Sequence, residues 1–286
     1  MQYGITLPNC GVGSDPQTAV ALAQAAEAAG WDGVFYWDAL YIPNEGETYD
    51  PWIVLTAIAA ATTRVRIGPM LTPLARRRPW KLARETATLD HLSGGRLILP
   101  VGLGALDDGG FGRVGEATDR KIRAQRLDEG LAILAGLWSG QPFSYSGEHY
   151  QLEEMTFLPP PLQQPRIPVW VVGAWPRPKS MDRVAHWDGL LAAKMNADGS
   201  SGEMTPADLR AAAAYIAERR PAATSFDIVM EGETPGDNPA GAAAIVQPLA
   251  DAGLTWWLEN VWNTPRTTGG IAGMRRRIAQ GPPRLA

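Results

Sequence analysis

Residues 51–104, PWIVLTAIAAATTRVRIGPMLTPLARRRPWKLARETATLDHLSGGRLILPVGLG, contain a helix followed by a strand twice in succession. The stretch divides into helix 51–62, strand 65–71, helix 79–92 and strand 96–102. Asp50 and Pro51 form a typical helix start, because aspartate caps the free amides and proline fits the first turn. Both strands are almost continuously apolar, which indicates parallel strands that are covered by helices.

The same alternation extends in both directions along the chain. The other predicted strands are 3–7, 33–37, 167–173, 189–193, 226–231 and 255–261, and the other predicted helices are 17–29, 118–138, a short one from 177, 206–220, 239–252 and 270–280. Eight strand–helix pairs in about 250 residues match a (β/α)8 TIM barrel, with an open doubly wound sheet as the alternative. Residues 1–286 are therefore predicted to form a single α/β barrel domain.

One segment departs from this alternation. Within residues 140–165, SYSGEHYQL (144–152) is typical of a small hairpin, and PPPLQQP (159–165) of an extended connection without helix. We interpret this segment as a short insertion between helix 4 and strand 5 of the barrel.

The composition restricts the compartment and the class of partner. The 286 residues are 45% apolar and 20% charged, enough for a full core without disulfides, and Cys10 is the single cysteine. Apolar runs such as 53–61 are shorter than the ~18 residues that cross a bilayer. A net charge of −4 offers no broad basic surface. We expect a cytoplasmic protein that binds neither nucleic acid nor membrane.

Candidate site residues follow the strands, since active sites in this barrel form where the strands end. They are Trp37 and Asp38 after strand 2, Pro69 and Met70 at strand 3, Gly102 and Gly104 after strand 4, Gly173 and Ala174 after strand 5, Lys194 after strand 6, Glu231 at strand 7 and Glu259 at strand 8. Glycines permit close backbone approach, and Trp and Met offer apolar surface, a combination suited to a planar ring. With 11 tryptophans in the chain, some fall near strand ends by chance.

The sequence lacks the spacings that several other chemistries require. It contains no CxxC or HExxH pattern for a metal, no GxSxG for acyl transfer and no GxxxxGK[ST] for a nucleotide triphosphate. Metal, hydrolase and kinase functions are therefore disfavoured.

Three segments resemble the luciferase-like monooxygenase superfamily. They are 51–68 with 76–104, then QLEEMTFLPPPLQQPRIPVWVVGAW (151–175), and VAHWDGLL (184–191). The resemblance implies a flavin or deazaflavin ring against the end of strand 3, where some relatives have a non-proline cis peptide. It also implies that the cofactor tail reaches the Gly173–Ala174 turn, where helix amides hold phosphate and Lys194 adds positive charge.

The chain also departs from this family's pattern. Many members have a histidine after an acidic residue at the end of strand 2, whereas this chain reads Tyr36-Trp37-Asp38-Ala39. Proton transfer is therefore expected from Asp38, Glu231 or Glu259. The basic run 76–78 follows strand 3 and is either a solvated surface or a contact for an anionic substrate or cofactor tail.

These features predict an oxidoreductase acting on a small organic substrate. The first hypothesis is monooxygenation with FMN supplied reduced by a separate flavin reductase, and the second is hydride transfer with coenzyme F420. A non-catalytic flavin-binding barrel and a cofactor-free barrel are the remaining alternatives. The resemblance also implies a homodimer.

Overall fold

The structure is a computed structural model that describes residues 1–220, 225–263 and 269–285. The strands are β1 (Gln2–Leu7), β2 (Gly33–Tyr36), β3 (Arg66–Pro69), β4 (Thr72–Pro73), β5 (Leu99–Gly102), β6 (Phe143–Ser146), β7 (Gln151–Met155), β8 (Val169–Trp175), β9 (Gly189–Met195), β10 (Ser201–Gly202), β11 (Asp227–Gly232) and β12 (Trp256–Glu259). The helices are α1 (Pro16–Ala28), α2 (Pro51–Ala61), α3 (Pro79–Ser93), α4 (Arg120–Trp138), α5 (Pro178–Ala185), α6 (Pro206–Ala217), α7 (Pro239–Ala250) and α8 (Gly270–Ala279).

Eight parallel strands form a closed barrel. Hydrogen bonds join them in the order β3-β2-β1-β12-β11-β9-β8-β5. Ile67 then links β3 to the segment entering β5, because its carbonyl accepts from the Ile98 amide at 2.9 Å and its amide donates to the Arg96 carbonyl at 3.1 Å. The prediction of a (β/α)8 barrel is confirmed.

Side-chain caps fix the starts of several helices, and the cap predicted at Asp50 is among them. Asp15, Asp50 and Asp119 each accept a hydrogen bond from a backbone amide in the first turn of α1, α2 and α4. Thr205 and Asp208 bond reciprocally at the start of α6. None of the helices in the described residues has the length and apolar character that a membrane span requires.

The third predicted strand is divided in two in the structure. β3 pairs with β2, whereas β4 pairs with β5, so the chain changes neighbour between Pro69 and Thr72. The peptide bond between Met70 and Leu71, at this change, is cis. The predicted hairpin is present as the antiparallel pair of β6 and β7, which lies between α4 and β8.

Apolar side chains fill the lower part of the barrel interior. The interior cluster consists of Phe35, Met70, Ile98, Trp170, Leu191, Val229, Trp256 and Leu258. The rings of Trp170 and Trp256 lie 5.3 Å apart and cross edge to face. This cluster closes the interior from below, so the barrel opens at the carboxyl ends of the strands, where a cavity lies.

Gly68 allows β3 to lie against the segment entering β5. A methyl group at this position would sit 2.3 Å from the carbonyl oxygen of Ile98, a backbone atom. We expect Gly68→Ala to destabilise the protein by about 2 kcal/mol, because the two strands must separate. Urea unfolding followed by circular dichroism measures this change. The control is Gly112→Ala, whose added methyl would lie 3.6 Å from its nearest neighbour, and equal losses in both variants would contradict the explanation.

Candidate active site

A large cavity opens at the carboxyl ends of the barrel strands. Its volume is about 1290 Å³, which exceeds the roughly 300–1,000 Å³ that is usual for small-molecule sites. Its wall is built from the ends of β2, β3, β5, β8 and β9 and from the first turns of α4 and α5. The cavity therefore suits a ligand that is longer than a single ring.

The floor of the cavity is apolar. Trp37, Met70, Leu71 and Val172 line it and pack against the interior cluster of the barrel. Gly102 lies between two of them, since an added methyl there would come within 3.0 Å of both Leu71 and Val172. The glycine therefore lets the side chains of Leu71 and Val172 pack closely against the end of β5, which keeps this part of the floor continuous and apolar.

Cationic side chains line the outer part of the cavity. Arg120, Lys121 and Arg123 come from the start of α4, Arg177 and Lys179 come from the start of α5, and Arg183 comes from its last turn. The starts of both helices also present the positive ends of their dipoles. We refer to these six side chains as the cationic rim.

The members of the cationic rim differ in how strongly they are already bound. Arg183 pairs with Asp128, and Arg123 donates to the carbonyls of Leu103 and Gly104. Lys121 and Lys179 are exposed and form no ion pair within the described part of the chain. The buried Nε of Arg177 likewise has no hydrogen-bond partner among the described residues. The rim therefore retains capacity to bind an anion.

A buried ion-pair network holds the loops around the cavity together. Asp38, after β2, accepts from Arg77 at 2.6 Å and from Arg76 at 3.4 Å. Arg76 also pairs with Asp108, which accepts from the backbone amides of Leu40, Tyr41 and Gly110. Burial raises the pKa of Asp38 while the two guanidinium groups oppose that shift. The first two arginines of the 76–78 run are thus engaged within the protein.

The two predicted glutamates point in different directions. Glu259 is buried on the outer side of β12, where it accepts from Arg277 at 3.1 Å and from the Thr234 amide at 2.7 Å. Glu231 on β11 is accessible to solvent and accepts from the Thr6 hydroxyl at 3.1 Å. The surrounding barrel wall reduces the hydration of this carboxylate and raises its pKa to about 7, and the Thr6 hydrogen bond opposes the shift.

The structure brings about half of the predicted site residues into the cavity wall. Trp37, Asp38, Met70, Gly102, Gly104 and Ala174 line the cavity, whereas Pro69, Gly173, Lys194, Glu231 and Glu259 do not. A methyl group at Gly173 would lie 2.3 Å from Leu190, so this glycine serves the packing of neighbouring strands. Lys194 points out of the barrel and pairs with Asp208 at 2.6 Å.

The ion pair between Lys194 and Asp208 predicts a loss of stability in acid. The hydrogen bond from Lys194 is the largest cause that lowers the pKa of Asp208, to about 2. The carboxylate therefore contributes stability above its unfolded pKa of about 4, and this contribution is lost as pH falls toward 2. We expect Asp208→Asn to cost about 1 kcal/mol at pH 6, after allowing for solvent screening, and almost nothing at pH 2. Urea unfolding at both pH values tests this, and Lys194→Met should reduce the same pH dependence.

Several residues of the site are absent from the sequence-based prediction. They are Val172 in the floor, the six members of the cationic rim, and Asp108 in the buried network. The alternation of side chains along β8 places Val172 on the same face as Trp170 and Ala174, so this residue was accessible to sequence reasoning. Among the described residues, no group of three metal-ligating side chains is close enough to hold an ion.

Two curated relatives of the chain are named as F420-dependent dehydrogenases. An F420-dependent hydroxymycolic acid dehydrogenase of Mycobacterium tuberculosis is 32% identical over 182 residues, which cover 60% of this chain and 48% of the relative. An F420-dependent glucose-6-phosphate dehydrogenase of Microbacterium testaceum is 34% identical over 167 residues, which cover 56% and 48%. The chain matches about half the length of these relatives.

Similar solved structures and a family model cover much more of the chain. The coenzyme F420-dependent tetrahydromethanopterin reductase from Methanopyrus kandleri has a TM-score of 0.74 at 18% identity, covering 98% of this chain and 96% of that one. A monooxygenase from Streptomyces bottropensis has a TM-score of 0.77 at 20% identity, covering 97% and 96%. At these identities the two structures support the fold. A family model described as luciferase-like monooxygenase matches residues 1–252, and the chain therefore belongs to this family of oxidoreductases.

Proposed function

We propose that this chain is a coenzyme F420-dependent oxidoreductase that exchanges a hydride with a small organic substrate. The observation that carries the proposal is the continuity of the apolar floor with a cationic rim supplied by two helices. FMN carries one phosphate, whereas the deazaflavin coenzyme carries a longer polyanionic tail. A rim that extends over the starts of both α4 and α5 suits the longer tail better. From the sequence alone, FMN-dependent monooxygenation is the first hypothesis and F420-dependent hydride transfer the second. The extent of the cationic rim is the reason for preferring F420 here.

The residues of the cavity fit this cofactor in two parts. Trp37, Met70, Leu71 and Val172 would hold the ring, and the cationic rim would hold the tail. When bound, the deazaflavin supplies hydride transfer. The protein's own contribution is to orient the substrate over the ring, to exclude water through the apolar floor, and to move the accompanying proton.

FMN-dependent monooxygenation is the second candidate function. The apolar floor offers the same contacts to either ring, and the family match includes monooxygenases by description. This function would require reduced FMN, delivered by a separate flavin reductase. A barrel that binds a flavin without turnover would retain the apolar floor but show no cofactor-dependent product.

A binding titration separates these functions. Purified protein is titrated with F420, with FMN and with the deazaflavin ring that lacks the tail, and tryptophan fluorescence quenching is recorded. We expect saturable binding of F420 that is at least about tenfold tighter than either of the others, since only F420 reaches the whole rim. Tighter binding of FMN, accompanied by oxygen consumption with reduced FMN, would replace the proposal with the monooxygenase function.

A further inference from the structure

Glu231 faces the interior of the barrel at its open end. Successive side chains on a strand alternate between the two faces, so Asp227, Val229 and Glu231 share one face of β11. Val229 belongs to the interior cluster, and Asp227 accepts from the indole nitrogen of Trp170, another member of that cluster, at 3.0 Å. Glu231 is therefore the next interior position above Val229, at the carboxyl end of the strand.

This carboxylate lies across the barrel from the predicted ring site. In the closed order of eight strands, β11 and β3 are separated by four steps in either direction, which places them on opposite sides. Met70 directly follows β3 and lines the cavity. Glu231 lies outside the wall of the cavity, so a substrate held against a ring on the Met70 side would meet this carboxylate by extending across the open end of the barrel.

Charged groups on the neighbouring strands point away from Glu231. On β12, Glu259 pairs with Arg277, and on β9, Lys194 pairs with Asp208, both outside the barrel. The neighbouring residue of β1 is Thr6, which donates to Glu231. Glu231 has no cationic partner in the described part of the chain. Its carboxylate therefore disfavours an anionic substrate, and it can accept a hydrogen bond from a neutral donor.

Aromatic side chains lie beside the same opening. Trp37, at the end of β2, packs against Trp262, which follows β12, with ring centroids 4.8 Å apart. Both are partly exposed and offer apolar surface at the same end of the barrel. The combination suits a small apolar molecule that carries one hydroxyl group.

We propose that Glu231 is the catalytic base for a neutral alcohol substrate, an assignment that rests on the proposed function. The hydroxyl proton passes to the Glu231 carboxylate as the C–H bond breaks and its hydride passes to the oxidised deazaflavin. The alcohol is oxidised to a carbonyl compound, and the deazaflavin is reduced by two electrons. In the reverse direction, Glu231 returns the proton to the carbonyl oxygen.

The raised pKa of Glu231, about 7, supports this role. A base must be ionised to accept a proton, so alcohol oxidation should increase with pH through about 7. Carbonyl reduction needs the protonated acid and should decrease over the same range. Loss of the Thr6 hydrogen bond removes an effect that lowers the pKa, so Thr6→Val should shift both profiles to higher pH.

The first test measures kinetics with F420 bound, using cyclohexanol and 2-butanol for oxidation and cyclohexanone for reduction. We expect Glu231→Gln to lower kcat by about 100-fold or more and to remove the pH dependence near 7. Glu153→Gln, on the exposed strand β7, is the matched control and should change neither. A Glu231→Gln variant that retains its rate and its pH profile would overturn the assignment and leave the proposed function intact. F420 binding without turnover of any of these compounds would overturn the substrate class.

The second test needs no cofactor. Difference infrared spectra of the cofactor-free protein between pH 5 and 9 should show one carboxyl group that titrates near pH 7, absent in Glu231→Gln and shifted upward in Thr6→Val. If Glu231→Gln fails to fold, the Thr6→Val shift in the spectra and in the rate profile decides the matter. An unchanged profile in that variant would overturn the role. Failure of F420 to bind, measured by the titration above, would instead refute the proposed function and with it the hydride acceptor named here.

Discussion

Replacement of Asp38 with asparagine is expected to reduce the free energy of unfolding by about 3 kcal/mol. Asp38 is the shared partner of Arg76 and Arg77, and its side chain is 2% exposed. An asparagine of the same shape would leave two guanidinium groups short of negative charge in a site from which water is excluded. Removal of one partner from a buried ion pair typically costs about 3–5 kcal/mol, and Asp108 still compensates Arg76 in part. Urea unfolding monitored by tryptophan fluorescence measures the loss.

The matched control is Glu85→Gln, which breaks an exposed pair. Lys81 and Glu85 lie one turn apart on α3, with side chains 68% and 28% exposed. Because solvent screens this pair, the expected loss is at most about 0.5 kcal/mol. A loss below 1 kcal/mol in Asp38→Asn would show that water reaches the network. It would contradict the conclusion that this network holds the loops around the cavity together.

The same network bears on the role of Asp38 in catalysis. Sequence reasoning includes it among the proton-transfer candidates because it follows a barrel strand. In the structure, Arg77 donates to both of its oxygens, Nη2 to Oδ1 at 2.6 Å and Nε to Oδ2 at 3.2 Å. A carboxylate held in this way is poorly suited to accept a proton from substrate. We therefore propose that Asp38 positions the loop that carries Trp37, while Glu231 transfers the proton.

The fold could be predicted from sequence because its signals are local. Apolar runs of strand length alternate with capped helices, and eight such pairs in one domain match a closed (β/α)8 barrel. The exact end of β3 could not be predicted. It falls where the chain stops pairing with β2, as β3, and begins to pair with β5, as β4. That choice is made by tertiary packing, which leaves no trace in the hydrophobic pattern of residues 65–71.

The site was only partly predictable, because the position of a residue at the end of a strand does not fix whether its side chain points into or out of the barrel. Lys194 and Glu259 both lie at strand ends, yet each points outward to a partner on a helix, Asp208 or Arg277. Side chains alternate along a strand, so Glu231 lies on the same interior face as Val229, whereas Lys194 and Glu259 lie on outer faces. This difference could have been predicted from the sequence. The cationic side chains of α4 could not be predicted as part of the site. Arg120 lies 18 residues beyond the end of β5, and the direction in which its side chain points depends on how the intervening loop folds.

The double charge reversal Lys121→Glu/Lys179→Glu is expected to weaken F420 binding by about 100-fold. The two side chains lie at the starts of α4 and α5, line the cavity and are exposed. The change introduces four units of negative charge beside the proposed path of the anionic tail. At roughly 0.7 kcal/mol for each unit in a partly solvated site, the sum is about 2.8 kcal/mol, which corresponds to a factor of about 100. Fluorescence titration of F420 measures this change, and the effect should diminish as salt concentration rises.

The comparison that makes this result specific is Arg210→Glu/Arg275→Glu, an equal change of net charge on α6 and α8. Both arginines are exposed and neither lines the cavity. Since the Debye length is about 10 Å at 0.1 M salt, distant charges are screened and the control should alter F420 affinity less than threefold. Binding of the deazaflavin ring without its tail should be almost unaffected in both double variants, because the ring contacts the apolar floor. The rim variant could instead weaken the binding of the ring and of the full cofactor equally. The cations would then be acting through the fold and not on the tail, and the preference for F420 over FMN would lose its structural basis.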